Sequence, residues 1–254
     1  MTVRWESRGH VGLATLDRPE RRNALSAGAC DDLRAHLARE QHHRVVVITG
    51  AGSAFCAGAD LGTRFRYGDD DFRPAFERLL DEIVAYPAPV VAAVNGPALG
   101  AGTQLIVACD LRIAARGASF GIPAAQLGVM ISPENVQRLA LLVGQAHARD
   151  ILLTGRRFGA EEALGMSLVH RLADDALAEG LAWAEEIAIL APLTLAGHKA
   201  ALNALAGHMG FTRGQDDGAI GAIEALVARA FASEDLKEGL AAFAEKRAPR
   251  FEAR

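Results

Sequence analysis

The chain reads as an α/β protein with a β-rich core and a helical C-terminal tail, and three features say so. Two short, almost wholly apolar, β-branched runs, Val45-Val46-Val47-Ile48 and residues 89–94, have the composition of strands buried on both faces. Each is followed by a glycine-bearing turn and a helical pattern, an alternation that argues for parallel strands joined by helices. Beyond residue 124 the strand signal fades and helical periodicity takes over.

In order along the chain, residues 3–7 and 11–16 read as short strands meeting at Gly9-His10. Asp17-Arg18-Pro19 ends the second. Ser26 is placed to cap a helix in which Leu33 and Leu37 recur at a helical interval. Residues 64–71 are expected to form a charged surface loop, and residues 72–86 a helix with Phe76, Leu79, Leu80 and Ile83 on one side. Asn95-Gly96-Pro97 turns the chain into an apolar helix over residues 100–109, and residues 111–114 form a further strand. Helices are then expected at 133–143, 146–153, 160–164, 176–190, 193–206, 213–231 and 234–246, with Pro192 dividing a core of residues 1–190 from a helical region of residues 191–254.

Composition narrows the function classes. The 254 residues carry a formal net charge of −4, which disfavours general nucleic-acid binding, and three lysines among 27 basic residues leave mostly arginine, a residue suited to phosphate oxygens. Cys30, Cys56 and Cys109 are too few and too scattered for a disulfide framework or a Cys-x-x-Cys metal site. With no apolar signal core near residue 1 and no long apolar stretch, a cytoplasmic setting without a membrane span is expected. His42, His43, His147, His170, His198 and His208 show no metal-ligand spacing with cysteines or acids, so no metal is expected.

Two segments carry the chemistry: Phe55-Cys56-Ala57-Gly58-Ala59-Asp60-Leu61 and Asn95-Gly96-Pro97-Ala98-Leu99-Gly100-Ala101-Gly102-Thr103-Gln104-Leu105. Each sets small side chains where backbone N–H groups can approach a ligand, the second at a helix N-terminus whose unpaired donors favour negative charge. Paired donors of this kind build an oxyanion hole. Two superficial motifs compete. Gly117-Ala118-Ser119-Phe120-Gly121 has the Gly-x-Ser-x-Gly pattern of serine hydrolases, but Gly121 and Pro123 disfavour the helix a nucleophile elbow needs. Gly50-Ala51-Gly52 lacks the third glycine of a dinucleotide loop.

With Leu16-Asp17-Arg18-Pro19, Asn23-Ala24-Leu25, Ala108-Cys109-Asp110-Leu111-Arg112, Ser119-Phe120-Gly121-Ile122-Pro123, Gln137-Arg138-Leu139, Leu153-Thr154-Gly155-Arg156-Arg157 and Glu245-Lys246-Arg247, these segments resemble the crotonase (enoyl-CoA hydratase/isomerase) family over nearly the whole chain. The resemblance implies a ββα spiral core with a C-terminal helical trimerisation region. It implies an acyl-CoA or enoyl-CoA thioester as ligand, with coenzyme A as part of the substrate and no separate cofactor, and assembly as a homotrimer or a dimer of trimers.

Position by position, it makes the N–H groups of Ala59 and Ala101 the oxyanion hole, flanked by Gly58, Asp60 and Gly100, although Ala101 replaces the family's usual glycine. Arg21, Arg22 and Ala24 are implied near the nucleotide end of coenzyme A, Ala57 and Leu61 along its pantetheine arm, and Lys246 and Arg247 near the phosphates of a neighbour's ligand. Asp60 is implied to hold its loop. The family's two hydratase glutamates fall at Gln104 and Ala124, and a third acid position falls at Ser132; none of the three can transfer a proton as a carboxylate does. Glu134 is the nearest replacement and also a natural first-turn helix residue after Pro133. Three readings stay open: a fatty-acid-metabolic protein that hydrates weakly, a non-catalytic acyl-CoA carrier, and an isomerase using Glu134.

Overall fold

The computed structural model describes residues 2–60, 71–208, 225, 228–229, 232–245, 247–252 and 254. Leu61, Lys246, the loop expected over 64–71 apart from Asp71, and nearly all of the helix expected over 213–231 lie outside them.

A six-stranded sheet runs in the order β1 (Val3–Arg8), β2 (Val11–Leu16), β3 (Val45–Gly50), β4 (Val90–Val94), β6 (Leu111–Ala115), β9 (Arg171–Ala173). β1 and β2 form an antiparallel hairpin and every later pair is parallel. The apolar runs in β3 and β4 are explained by burial on both faces: Val46 and Ile48 join the main core with Leu33, Leu79 and Leu105, whereas Val45 and Val47 meet Ala184 and Ile187 in a second core. The main core is enclosed by α1 (Ala27–Arg39), α2 (Phe72–Ala85) and α3 (Ala101–Ala108), and the second is closed by α6 (Ala176–Ala188). The Ser26 side chain caps α1 by accepting from Ala29 N.

A second sheet is formed by β5 (Ala98–Leu99), β7 (Ser119–Gly121) and β8 (Phe158–Gly159), in that order. Neither β8 nor β9 was expected, because two- and three-residue strands are set by pairing with β7 and β6 and carry no periodicity of their own. The expected break between residues 143 and 146 falls inside α4 (Pro133–Thr154), where Gly144 has φ 78°. α5 (Ala160–Gly165), α7 (Pro192–His208) and α8 (Glu234–Glu245) complete the described helices. α7 is pinned to the core by Lys199, whose Nζ donates to Ile83 O, Ala88 O and Asp110 Oδ2 at 3.0, 3.1 and 2.7 Å. No single described helix is long and apolar enough to cross a membrane.

Candidate active site

The first glycine-bearing segment leaves β3 and is held from both sides. Asn23, itself 2% exposed, donates to Ala51 O and Ala54 O, and Ala57 N donates to Arg22 O at 2.9 Å. Leu25 N donates to Gly58 O at 2.8 Å and Asp60 N to Leu25 O at 2.7 Å. These contacts aim one donor. The Gly58–Ala59 peptide is trans, so with its oxygen turned to Leu25 its N–H must point the opposite way, and Ala59 N has no protein acceptor among the described residues. The Asp60 carboxylate pairs with Arg18 at 3.0 Å.

The second donor is aimed by the same logic. Gly100 O accepts from Gln104 N at 3.1 Å along the axis of α3, so the N–H of Ala101 in that same trans peptide points out of the helix N-terminus, again without an acceptor among the described residues. Gly102 lets α3 approach: a Cβ there would stand 2.3 Å from Cys56 O. Thr103 Oγ1 fastens the turn, lying 2.6 Å from Ala98 O and 2.9 Å from Gly121 O. Ala101 is 6% exposed and packs in the main core, so its methyl leaves the donor at the surface of the site.

Both donors line one cavity of about 460 Å³. Its described walls are mostly apolar, with Phe76, Leu99, Ile122, Val129 and Met130. Ala57, Gly58, Gly100, Gln104, Ala124 and Ser132 line it as well. Arg22, Ala24 and Asp60 are not among the lining residues; Arg22 is exposed and contributes its backbone oxygen to Ala57.

Glu134 is a correction to the expected site. It is exposed in the first turn of α4 and does not line the cavity. Pro133 fixes that turn so that Ser132 caps the helix through Asn135 N and Asn135, not Glu134, faces inward, with Nδ2 donating to Gln104 Oε1 at 3.0 Å. A capping serine three residues before a polar side chain was the signal for Asn135. Among the described lining residues Glu77 is the one carboxylate, and it pairs with Arg73 at 2.9 Å. Arg157, exposed at the rim without an ion-pair partner among the described residues, was also missed as a candidate. Arg247 is not free for a ligand phosphate; its guanidinium pairs with Glu238 and Glu245.

Burial pushes the thiols of Cys30, Cys56 and Cys109 up to about 12, so none is a thiolate near neutral pH. The fold does bring Glu40, His42 and His43 within 4.8 Å, which sequence spacing missed, but both His43 ring nitrogens are already engaged, with Glu40 O and Ser7 Oγ.

The model of the family described as enoyl-CoA hydratase/isomerase matches residues 6–254. The chain belongs to that family, within the crotonase superfamily. A Mycobacterium tuberculosis protein named "probable enoyl-CoA hydratase" is 40% identical over 244 residues, covering 93% of each chain. Among solved structures, an enoyl-CoA hydratase from Bacillus anthracis is 32% identical, covers 100% of both chains and superposes with a TM-score of 0.86. An enoyl-CoA hydratase/carnithine racemase from Magnetospirillum magneticum gives 0.89 at 32% identity, over 100% of this chain and 96% of its own. The expected crotonase fold is thereby established, and the two glycine-bearing segments belong to an enoyl-CoA hydratase/isomerase family member.

Proposed function

We propose that the protein binds fatty acyl-CoA thioesters in fatty-acid metabolism, holding the thioester carbonyl between the N–H groups of Ala59 and Ala101, and hydrates enoyl-CoA weakly or not at all. The observation that carries this reading is the pair of backbone donors, each turned from its own peptide oxygen, each on a residue that lines one apolar cavity, and neither taken by an acceptor among the described residues. Such donors stabilise negative charge growing on a carbonyl oxygen, and in a water-poor site each contributes about 3 to 4 kcal/mol. The acids are the missing part. Gln104 and Ala124 line the cavity where the family's hydratase glutamates are implied, and losing each proton-transfer group costs about 100- to 10,000-fold.

The same reading gives the phosphates of coenzyme A to Arg22 and Arg157 at the surface, and assembles the chain as a homotrimer or dimer of trimers through the helical end, where Leu202 and Leu205 of α7 and Leu240 of α8 are exposed. Three unpaired, buried thiols fit a reducing cytoplasm. The outward placement of Glu134 favours a carrier over an isomerase that uses it.

The test is calorimetric titration with coenzyme A, a saturated acyl-CoA, and the S-alkyl analogue in which CH2 replaces the carbonyl, together with loss of enoyl absorbance from crotonyl-CoA. The acyl-CoA is expected to bind roughly tenfold or more tightly than the S-alkyl analogue, the worth of two hydrogen bonds, with turnover near background. Equal affinities for thioester and thioether would remove the carbonyl clamp.

A further inference from the structure

Gln104 lies three residues beyond Ala101 on α3, so its side chain shares the face of Ala101 and leans back toward the helix N-terminus where that residue's N–H points. Its amide is not free to choose which atom it shows the cavity. Arg138 Nη2 donates to Asp81 Oδ1 at 2.7 Å, and Nη1 donates to Asn135 Oδ1 at 2.9 Å. A guanidinium has donors alone, so the Asn135 oxygen must face Arg138 and its NH2 must face Gln104. The NH2 needs an acceptor, which fixes Gln104 Oε1 against it at 3.0 Å and turns Gln104 Nε2 away. Nε2 has no acceptor among the described residues.

We infer that the chain Asp81, Arg138, Asn135, Gln104 presents Gln104 Nε2 as a third donor beside the two backbone amides, and that it selects thioesters carrying an acceptor-only oxygen on the β carbon, the 3-oxoacyl class, over plain saturated chains. This rests on the acyl-CoA reading of the cavity and names the ligand within it. Residues three apart on a helix are neighbours on one face, with Cβ atoms about 5 to 6 Å apart, and the backward lean of the Gln104 side chain brings its amide to the same end of α3 as the Ala101 N–H. A 3-oxo group accepts from Nε2 and needs no donor in return. A saturated chain covers Nε2 with apolar surface and strips its water without replacing it, which costs roughly tenfold in affinity. Gln104 is the specificity-determining residue; Asn135 and Arg138 position it.

The experiment is calorimetric titration of wild type, Gln104→Leu, Arg138→Leu and Arg138→Lys with octanoyl-CoA and 3-oxooctanoyl-CoA. Wild type is expected to favour the 3-oxo ligand roughly tenfold, Gln104→Leu to bring the ratio to about one, Arg138→Leu to lower it partway, and Arg138→Lys to restore it in part. Lys and Leu variants that merely lost packing would weaken both ligands together and leave the ratio unchanged, and that result overturns the inference. Equal wild-type affinities with both ligands bound overturn it while sparing the acyl-CoA reading. Failure of wild type to bind either ligand overturns both.

Discussion

Gly58 and Ala101 stand so close that a Cβ added to Gly58 would lie 3.8 Å from the Ala101 nitrogen and 3.1 Å from Leu99 O. Gly58 also has φ +111°, a backbone region that side chains rarely adopt. Gly58→Ala is therefore expected to push the two donor segments apart. Affinity for a saturated acyl-CoA should fall by tenfold or more, affinity for free coenzyme A should change little, and stability should fall by about 1–3 kcal/mol. Titration of both ligands and a urea melt check this; unchanged acyl-CoA affinity would break the link between segment spacing and carbonyl binding.

If absent acids limit hydration, supplying them should restore it. The Gln104→Glu, Ala124→Glu double variant is expected to raise crotonyl-CoA hydration by about 100-fold or more over wild type, read as loss of enoyl absorbance. Activity still at background in a folded, ligand-binding double variant would place the deficit elsewhere in the site.

Lys199, 7% exposed, satisfies two backbone carbonyls and the Asp110 carboxylate, which in turn accepts from Val90 N at 2.7 Å. Removing Lys199 takes a donor from two backbone carbonyls and the cation from a partly buried carboxylate. Lys199→Met is expected to cost about 1–3 kcal/mol in urea unfolding and to loosen α7 first, visible as faster amide exchange in that helix. A loss below about 1 kcal/mol would mean the pair contributes little.

His36, 7% exposed and stacked on Trp5, is held below the ordinary histidine value by burial first and by the neighbouring Arg39 guanidinium second. Between the ordinary value near 6.5 and the lower folded value, the unfolded chain binds the extra proton, so stability rises with pH there. The contribution is fully present above about pH 6.5 and is lost as pH falls through the folded value. His36→Phe, which keeps a ring against Trp5, should flatten this part of the acid limb of a stability–pH curve; an identical slope would assign that limb to other groups.

What the sequence made legible was what local pattern encodes. The β3 and β4 runs stood out because burial on both faces leaves no polar alternation, and Ser26 announced α1 through its own cap. β8 and β9 were hidden because their definition lies in partners far along the chain. The donor segments were visible as small-residue runs, whereas the direction of each N–H depends on Leu25 and on the turn of α3. Asn135 escaped for a related reason: its place at the site comes from contact with Gln104, 31 residues earlier, which no local pattern encodes.

The most direct measurement of the carbonyl clamp is isotope-edited infrared difference spectroscopy of an acyl-CoA labelled with 13C at the thioester carbonyl. Two amide donors on one oxygen weaken its double bond, so the bound carbonyl band should move clearly to lower frequency than in water, and the shift should shrink in Gly58→Ala. A bound ligand whose carbonyl absorbs where the free thioester does would contradict the account.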